Sequence, residues 1–223
     1  GDITTLPLIN KMSSGRAAVV CREGCVVCGL GVAEMAVSQV DDSVSFRPNC
    51  KDGALVGDGK EVLFLEGRTA SILRAERTML NFLTFLSGIA TRTRQYIDKV
   101  SPYGVKIMDT RKTIPLLRYL EKYAVYAGGG TNHRMGLYDQ VLIKDNHIKS
   151  NQVATSQSHK LKNLIETARK KSLKGTKIEI EVTSLEEFSD ALAGNPDIIM
   201  LDNMAARDVK ACVEIRRLSK IKP

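Results

Sequence analysis

Val105-Lys106-Ile107-Met108-Asp109, Val141-Leu142-Ile143-Lys144-Asp145, Ile178-Glu179-Ile180-Glu181-Val182 and Asp197-Ile198-Ile199-Met200-Leu201-Asp202 are short apolar runs, each carrying charge at or near its end. Runs of this length, bounded by turns or helix-forming segments, read as strands buried in a sheet. The stretches between them can form helices, and that alternation implies parallel strands with crossover helices. In such folds the chemistry sits at the carboxyl ends of the strands. This chain places Asp, Arg, Lys and Glu there, where a purely structural sheet would carry turn residues.

The remainder of the chain frames that sheet. Residues 1 to about 70 are β-rich, with strand-like runs at Arg16–Cys21, Val26–Leu30, Val44–Phe46 and Val62–Gly67, and a short helix over Ala33–Ser38. This part reads as a small α+β sandwich. A long helix follows from about Thr69 to Ser87, with Gly88 as its terminating residue. It is apolar nearly all round except for Arg74, Arg77, Asn81 and Thr84, whose spacing puts them on one face. Such a stripe either lines something or faces solvent. The alternating half begins at about Ile89, so the expected domains are 1–88 and 89–223. Ser150 to Lys160 reads as a polar loop, with His159 in it given no role.

Composition narrows the function. The chain has 223 residues, 43% hydrophobic and 26% charged, which is ordinary for a soluble globular protein. No run approaches the length of a membrane span. Five cysteines, an odd number without framework spacing, suit a reducing and hence cytoplasmic setting. The net charge of +8 admits nucleic acid, a solvated basic surface or a pocket for an anionic small molecule. Aromatic content of 5% without a single Trp leaves few stacking platforms for bases. Cys21, Cys25 and Cys28 have the spacing of an iron–sulfur loop, but they lie on two strand-like runs around Arg22-Glu23-Gly24. Alternating side chains on a pleated strand do not converge on one cluster.

Residues 109–147 carry the densest chemistry: Asp109-Thr110-Arg111-Lys112-Thr113, then Gly128-Gly129-Gly130-Thr131-Asn132-His133-Arg134, then Lys144-Asp145-Asn146-His147. Arg111, Lys112, His133, Arg134 and Lys144 fall at strand ends or in the glycine-rich loop, and Arg77 can join them. Clustered cations repel unless an anion fills the space between, and Arg forks grip carboxylate or phosphate in bidentate fashion. The expected guest is a small, multiply anionic molecule. Glu181 and Asp202 end the next two strands and suit Mg²⁺ or sugar hydroxyls. Each element also has a plainer reading. The glycine triplet lacks the ending of a P-loop, His133 can cap a helix, and Asp109 can serve as an N-cap or hold Arg111.

Glu76-Arg77-Thr78-Met79-Leu80-Asn81, Ser87-Gly88-Ile89-Ala90-Thr91, Asp109-Thr110-Arg111-Lys112-Thr113, Lys122-Tyr123-Ala124-Val125, Gly128 through Arg134, Ile143-Lys144-Asp145-Asn146-His147 and Leu201-Asp202-Asn203 together resemble the quinolinate phosphoribosyltransferase family. Gly1-Asp2-Ile3-Thr4-Thr5 is similar to its amino-terminal signature. The resemblance spans essentially the whole chain, in order. It implies an α/β protein: an N-terminal α+β open sandwich domain, then an incomplete (β/α) barrel. It further implies transfer of phosphoribosyl from phosphoribosyl pyrophosphate to the ring nitrogen of quinolinate, with loss of pyrophosphate and of the 2-carboxylate as CO2. Nicotinate mononucleotide then forms on the way to NAD, with Mg²⁺ as cofactor.

By the family's pattern, Arg77, Arg111, His133 and Arg134 hold the substrate carboxylates, and Lys112 and Lys144 bridge towards the donor. Glu181 and Asp202 bind ribose hydroxyls or the metal, and Lys112, Lys144, Glu181 and Asp202 form the catalytic set. Arg22 matches an arginine inserted into a neighbouring subunit's pocket, which implies a homodimer. No nucleic acid or membrane partner is implied. The family continues past the point where this chain reaches Pro223, with further strands whose backbone amides bind the donor's 5′-phosphate. The barrel is therefore expected to lack its C-terminal strands here, and a chain truly ending there to be poorly stable and nearly inactive. The competing readings are a molybdenum-associated paralogue with another anionic substrate, an inactive truncated form, and a basic nucleic-acid-binding module.

Overall fold

Glu61-Val62-Leu63-Phe64-Leu65-Glu66-Gly67-Arg68 has the composition of a central strand, and it forms the middle of the amino-terminal sheet in the computed structural model, which describes residues 2–150 and 159–219. The chain begins with α1 (Thr5–Leu8), β1 (Ser14–Val20), β2 (Cys25–Val26), α2 (Leu30–Ser38), β3 (Ser45–Pro48), β4 (Leu55–Val56), β5 (Glu61–Arg68) and α3 (Thr69–Val100). Then follow α4 (Arg118–Ala127), β6 (Val141–Ile143), α5 (Asp145–Ser150), α6 (Lys160–Lys171), β7 (Ile178–Val182), α7 (Leu185–Ala193), β8 (Ile198–Leu201) and α8 (Ala206–Leu218). Contacts divide it into two compact units, Gly1–Met135 and Gly136–Pro223.

In the first unit β5 pairs antiparallel with β1 and β3, in the order β1-β5-β3. Ala17 lies opposite Leu65 and Val19 opposite Leu63, so small and large apolar residues share one face. That face is covered by α2 and α3 through Ala33, Val37, Ile72, Ala75, Met79 and Leu83. A second cluster joins Val26 and Cys28 to Leu86, Ala90 and Ala124, tying β2 and α4 to the far half of α3.

The long helix departs from the expected ending. It does not stop at Gly88 but runs on to Val100. Its buried residues, Ile72, Ala75, Met79, Leu83, Leu86, Ala90 and Thr93, continue one seam straight past the glycine. An interior Gly costs about 1 kcal/mol, less than burial of the next two turns returns. The helix is also less apolar all round than its composition suggests, because Leu73 is exposed on the outer side.

Of the four opening runs, three are strands of one sheet, and one is not. Val105–Asp109 makes only an isolated parallel bridge between Met108 and Thr131. Its opposite segment is a tight turn leaving the glycine triplet, which offers one residue rather than a ladder. In the second unit β6, β7 and β8 are parallel and adjacent in sequence order. Ile178, Ile180 and Val182 point to the helices and are fully buried with Ile165, Phe188 and Leu192. Ser184 caps α7 by accepting from the Glu187 amide at 3.1 Å, while the Glu187 carboxylate accepts from the Thr183 amide at 2.7 Å. The expected polar loop falls for the most part on residues 151–158, outside the described residues. His159 stands at the position before α6 without a side-chain capping bond, and its ring lies 3.3 Å from the Asp190 carboxylate. No described helix is long and apolar enough to cross a membrane.

Two measurements check this packing. Ile180→Ala in the centre of the parallel sheet is expected to cost about 2–5 kcal/mol in urea unfolding. Asp41 accepts from Ser43 and Ser71, which holds its carboxyl down at about 2, below the ordinary 3.8. A depressed carboxylate contributes stability above 3.8 and loses it as pH falls towards about 2. Asp41→Asn is therefore expected to flatten the unfolding midpoint against pH across that window.

Candidate functional site

Asp109 organises the cationic part of the first unit. Its segment is bound to the glycine-rich loop by Thr131 N–H donating to Ile107 O at 2.8 Å and Asp109 N–H donating to Thr131 O at 3.3 Å. The Asp109 carboxylate then accepts three further bonds. Lys122 of α4 donates to Oδ1, the His133 amide donates to Oδ1 at 2.8 Å, and the Asn132 side-chain amide donates to Oδ2 at 2.7 Å. Asn132 also donates to Lys122 O at 2.9 Å, the orientation that satisfies both ends of its amide. The ion pair is deeply buried, with side-chain exposures of 1% for Lys122 and 6% for Asp109. Of the two roles the sequence suggested for Asp109, holding Arg111 or capping a helix, neither is its main one: its partner is Lys122.

The glycine triplet is more than a flexible turn. A Cβ on Gly128 would lie 2.4 Å from Ala90 O, and one on Gly130 would lie 2.6 Å from Val125 Cγ1. Gly129 has φ of 96°, the left-handed region. Glycine at 128 and 130 lets the loop press against α3 and α4, and Arg94 Nε donates to Gly128 O at 2.9 Å to hold it there.

On this frame sit two cationic segments. Arg111 is half-buried, and its Nε is enclosed without a hydrogen bond among the described residues. Lys112 is exposed, with its amide bonded to Thr110 Oγ1 at 3.0 Å. His133 and Arg134 follow directly on the bonds to Asp109 and are half-buried. Arg118 joins the two segments, donating to Thr113 Oγ1 at 3.3 Å and to Met135 O at 3.4 Å. The other two predicted arginines lie elsewhere. Arg22 sits in the turn after β1, beside a cavity of about 480 Å³ lined also by Cys25, Leu83 and Thr84. Arg77 is on the exposed face of α3 with Arg74, Asn81 and Thr84. Among the described residues no hydrogen bond or ion pair joins Arg22 or Arg77 to the segments around Asp109.

In the second unit the predicted residues gather at the carboxyl ends of the strands. Lys144 follows β6 and its Nζ lies 2.8 Å from Glu181 Oε2 on β7. Asp202 follows β8, with its amide donating to Val182 O at 2.9 Å and its Oδ2 accepting from Asn203 at 3.0 Å. Asn203 takes φ of 53°, which turns the chain sharply after the strand. Glu179 shares the inner face of β7 with Glu181 and accepts from Gln140 Nε2 at 2.6 Å. Glu181 and Asp202 supply two carboxylates, and among the described residues no group of three acidic, His or Cys side chains is poised around a metal.

Cys21 and Cys25 approach to 3.5 Å between sulfurs, whereas Cys28 belongs to a different core cluster. Burial, with neighbouring Cys21, pushes Cys25 up to about 11, and burial pushes Cys28 up to about 12, so both rest as thiols.

Sequence reasoning passed over Lys122, Arg118, Gln140 and Glu179. Helical spacing gave no signal for Lys122, since Tyr119 and Tyr126, three and four residues away on the same side of α4, are exposed. Glu179 carried one: it stands within the strand between two buried isoleucines, where a carboxylate shielded from water needs a partner.

Two family models match this chain. The family model for the quinolinate phosphoribosyl transferase N-terminal domain matches residues 2–87, and that for the C-terminal domain matches residues 89–222. The probable nicotinate-nucleotide pyrophosphorylase (carboxylating) of Synechocystis is 38% identical over 217 residues, covering 97% of this chain and 71% of the relative. The nicotinate-nucleotide pyrophosphorylase (carboxylating) of Mycobacterium leprae is 36% identical, covering 96% and 74%. The solved nicotinate-nucleotide pyrophosphorylase of Francisella tularensis superposes with a TM-score of 0.89 at 38% identity, over 97% of this chain and 74% of that one.

The close approach of the glycine loop to α3 is open to test. Gly128→Ala places its methyl against backbone that cannot rotate away, so it is expected to cost about 1–3 kcal/mol in denaturant unfolding.

Proposed function

The chain belongs to the quinolinate phosphoribosyltransferase family, and on that premise we propose that it transfers phosphoribosyl from phosphoribosyl pyrophosphate to quinolinate. Pyrophosphate and CO2 leave, and nicotinate mononucleotide forms for NAD biosynthesis. The observation that carries this reading is the match of both family domains, in order, over residues 2–87 and 89–222. The geometry of the first unit supports it. Arg111, His133 and Arg134 are the assigned counter-charges for the two adjacent carboxylates of quinolinate, and the enclosed Arg111 Nε has a donor to offer a bound anion.

The chemistry asks for positioning and charge, not for a covalent intermediate. Holding the ring nitrogen in line with the anomeric carbon supplies proximity. As pyrophosphate departs, the sugar acquires oxocarbenium character, which a fixed carboxylate stabilises. Glu181 is suited to that task, because its pairing with Lys144 fixes its orientation. Once glycosylated, the cationic ring accepts the electrons released on decarboxylation. Lys112 and Lys144 are assigned to the donor side, and Arg77 to the substrate carboxylates.

Three finer points belong to the same proposal. Mg²⁺ suits an oxygen-only set of two strand-end carboxylates completed by phosphate oxygens, and Glu181 and Asp202 would hold it. Bound there, it would neutralise charge on the leaving pyrophosphate. The active form is a homodimer, with Arg22 donated to the neighbouring subunit. The compartment is cytoplasmic, in keeping with five cysteines that are all free thiols.

The purified protein is expected to release pyrophosphate and CO2 in equal amounts from quinolinate and phosphoribosyl pyrophosphate. Release only with a different pyridine acid would overturn the assignment. Arg111→Ala is expected to weaken quinolinate binding by about 3–5 kcal/mol in calorimetry, since it strands a bound carboxylate without its partner. Unchanged affinity would remove Arg111 from the site.

A further inference from the structure

We infer that the buried Asp109–Lys122 pair is a positioning device for quinolinate recognition rather than a source of stability, an inference that rests on the function proposed above. Lys122 is 1% exposed and cannot touch a substrate. What it can do is fix Asp109, and Asp109 reaches both cationic segments. Arg111 lies two residues along the chain from this carboxylate, and the His133 amide donates to it at 2.8 Å, one residue before Arg134. The Asn132 amide donates to its other oxygen at 2.7 Å. One carboxylate therefore sets the spacing between the arginine of one segment and the histidine and arginine of the other.

The energetics point the same way. Burying two charges costs much of what their attraction returns, and replacing a buried pair by well-packed apolar residues of similar volume is often harmless to stability. Removing one partner alone is harmful, because an uncompensated charge stays behind. A pair kept only for stability would have cheaper substitutes. A pair whose carboxylate must face three donors at once does not. An amide at position 109 offers one acceptor and one donor, and its NH2 would meet the NH2 of Asn132. Neutralising both groups removes the stranded charge, the larger cost, and so returns most of the stability, while the mismatched amide does not return the geometry.

The test uses the full chain and two variants, Lys122→Met and Asp109→Asn/Lys122→Met. The thermal midpoint is expected to fall by roughly 10 °C in the single variant, the shift an unpaired buried charge produces in a protein of this size. In the double variant it is expected to recover to near the wild-type value. Quinolinate affinity, read by calorimetry, is expected to fall at least tenfold in both. Wild-type affinity in the double variant would overturn the inference, because the charges would then not set the geometry. Failure of the midpoint to recover would also overturn it, because the pair would then be needed for stability. If the wild-type protein itself binds no quinolinate, the functional reading is what fails, which that control reads separately.

Discussion

The cationic region of the first unit depends on one buried carboxylate. Asp109 has two oxygens and accepts from a lysine, a backbone amide and a side-chain amide. Arginine-rich segments repel each other, and the isolated bridge between Met108 and Thr131 is no ladder to oppose that repulsion. A charge-assisted network enclosed by protein does so, since hydrogen bonds to an ionised group are the strong ones and water is not there to compete. The three glycines before Thr131 serve the same arrangement. Gly128 and Gly130 remove the side chains that would keep the loop from α3 and α4, Gly129 takes the positive φ that turns it, and Asn132 and His133 so reach Asp109.

The second unit solves a related problem by different means. A parallel sheet lays consecutive strand ends side by side, so Lys144, Glu181 and Asp202 arrive at one edge of it without any special loop chemistry. The strand β7 carries isoleucines and valine towards the helices and two glutamates on its other face. Each glutamate is matched by a residue flanking β6, Gln140 before it and Lys144 after it. The parallel register, Val141 opposite Ile178 and Ile143 opposite Ile180, is what brings those flanking residues into reach.

Several elements were legible from the residues because their signals are local. The runs at 141–143, 178–182 and 198–201 became strands in the expected parallel order, and the expected helix over Ala33–Ser38 formed, although it begins earlier, at Leu30, where a strand over Val26–Leu30 was expected and only Cys25–Val26 pairs. The failures have local causes as well. Val105–Asp109 has strand composition but no neighbouring ladder, and strand formation is a property of pairs. Gly88 is a stop signal that was overruled because the apolar seam resumes at Ala90 and Thr93. Propensity at one residue is about 1 kcal/mol, and several buried side chains outweigh it.

What the residues alone determined was chemical type and order: cations at 111–112 and 133–134, carboxylates at 181 and 202, glycines where the chain must bend. Periodicity and composition act over a few residues, so they survive without knowledge of the fold. What only the tertiary structure decided was partnership. That Asp109 takes Lys122 rather than Arg111, that Glu179 takes Gln140, and that Arg118 spans two segments follow from which surfaces come to face each other when apolar seams close. Those pairings are set by packing between distant parts of the chain, and a buried polar group accepts whichever donor that packing delivers.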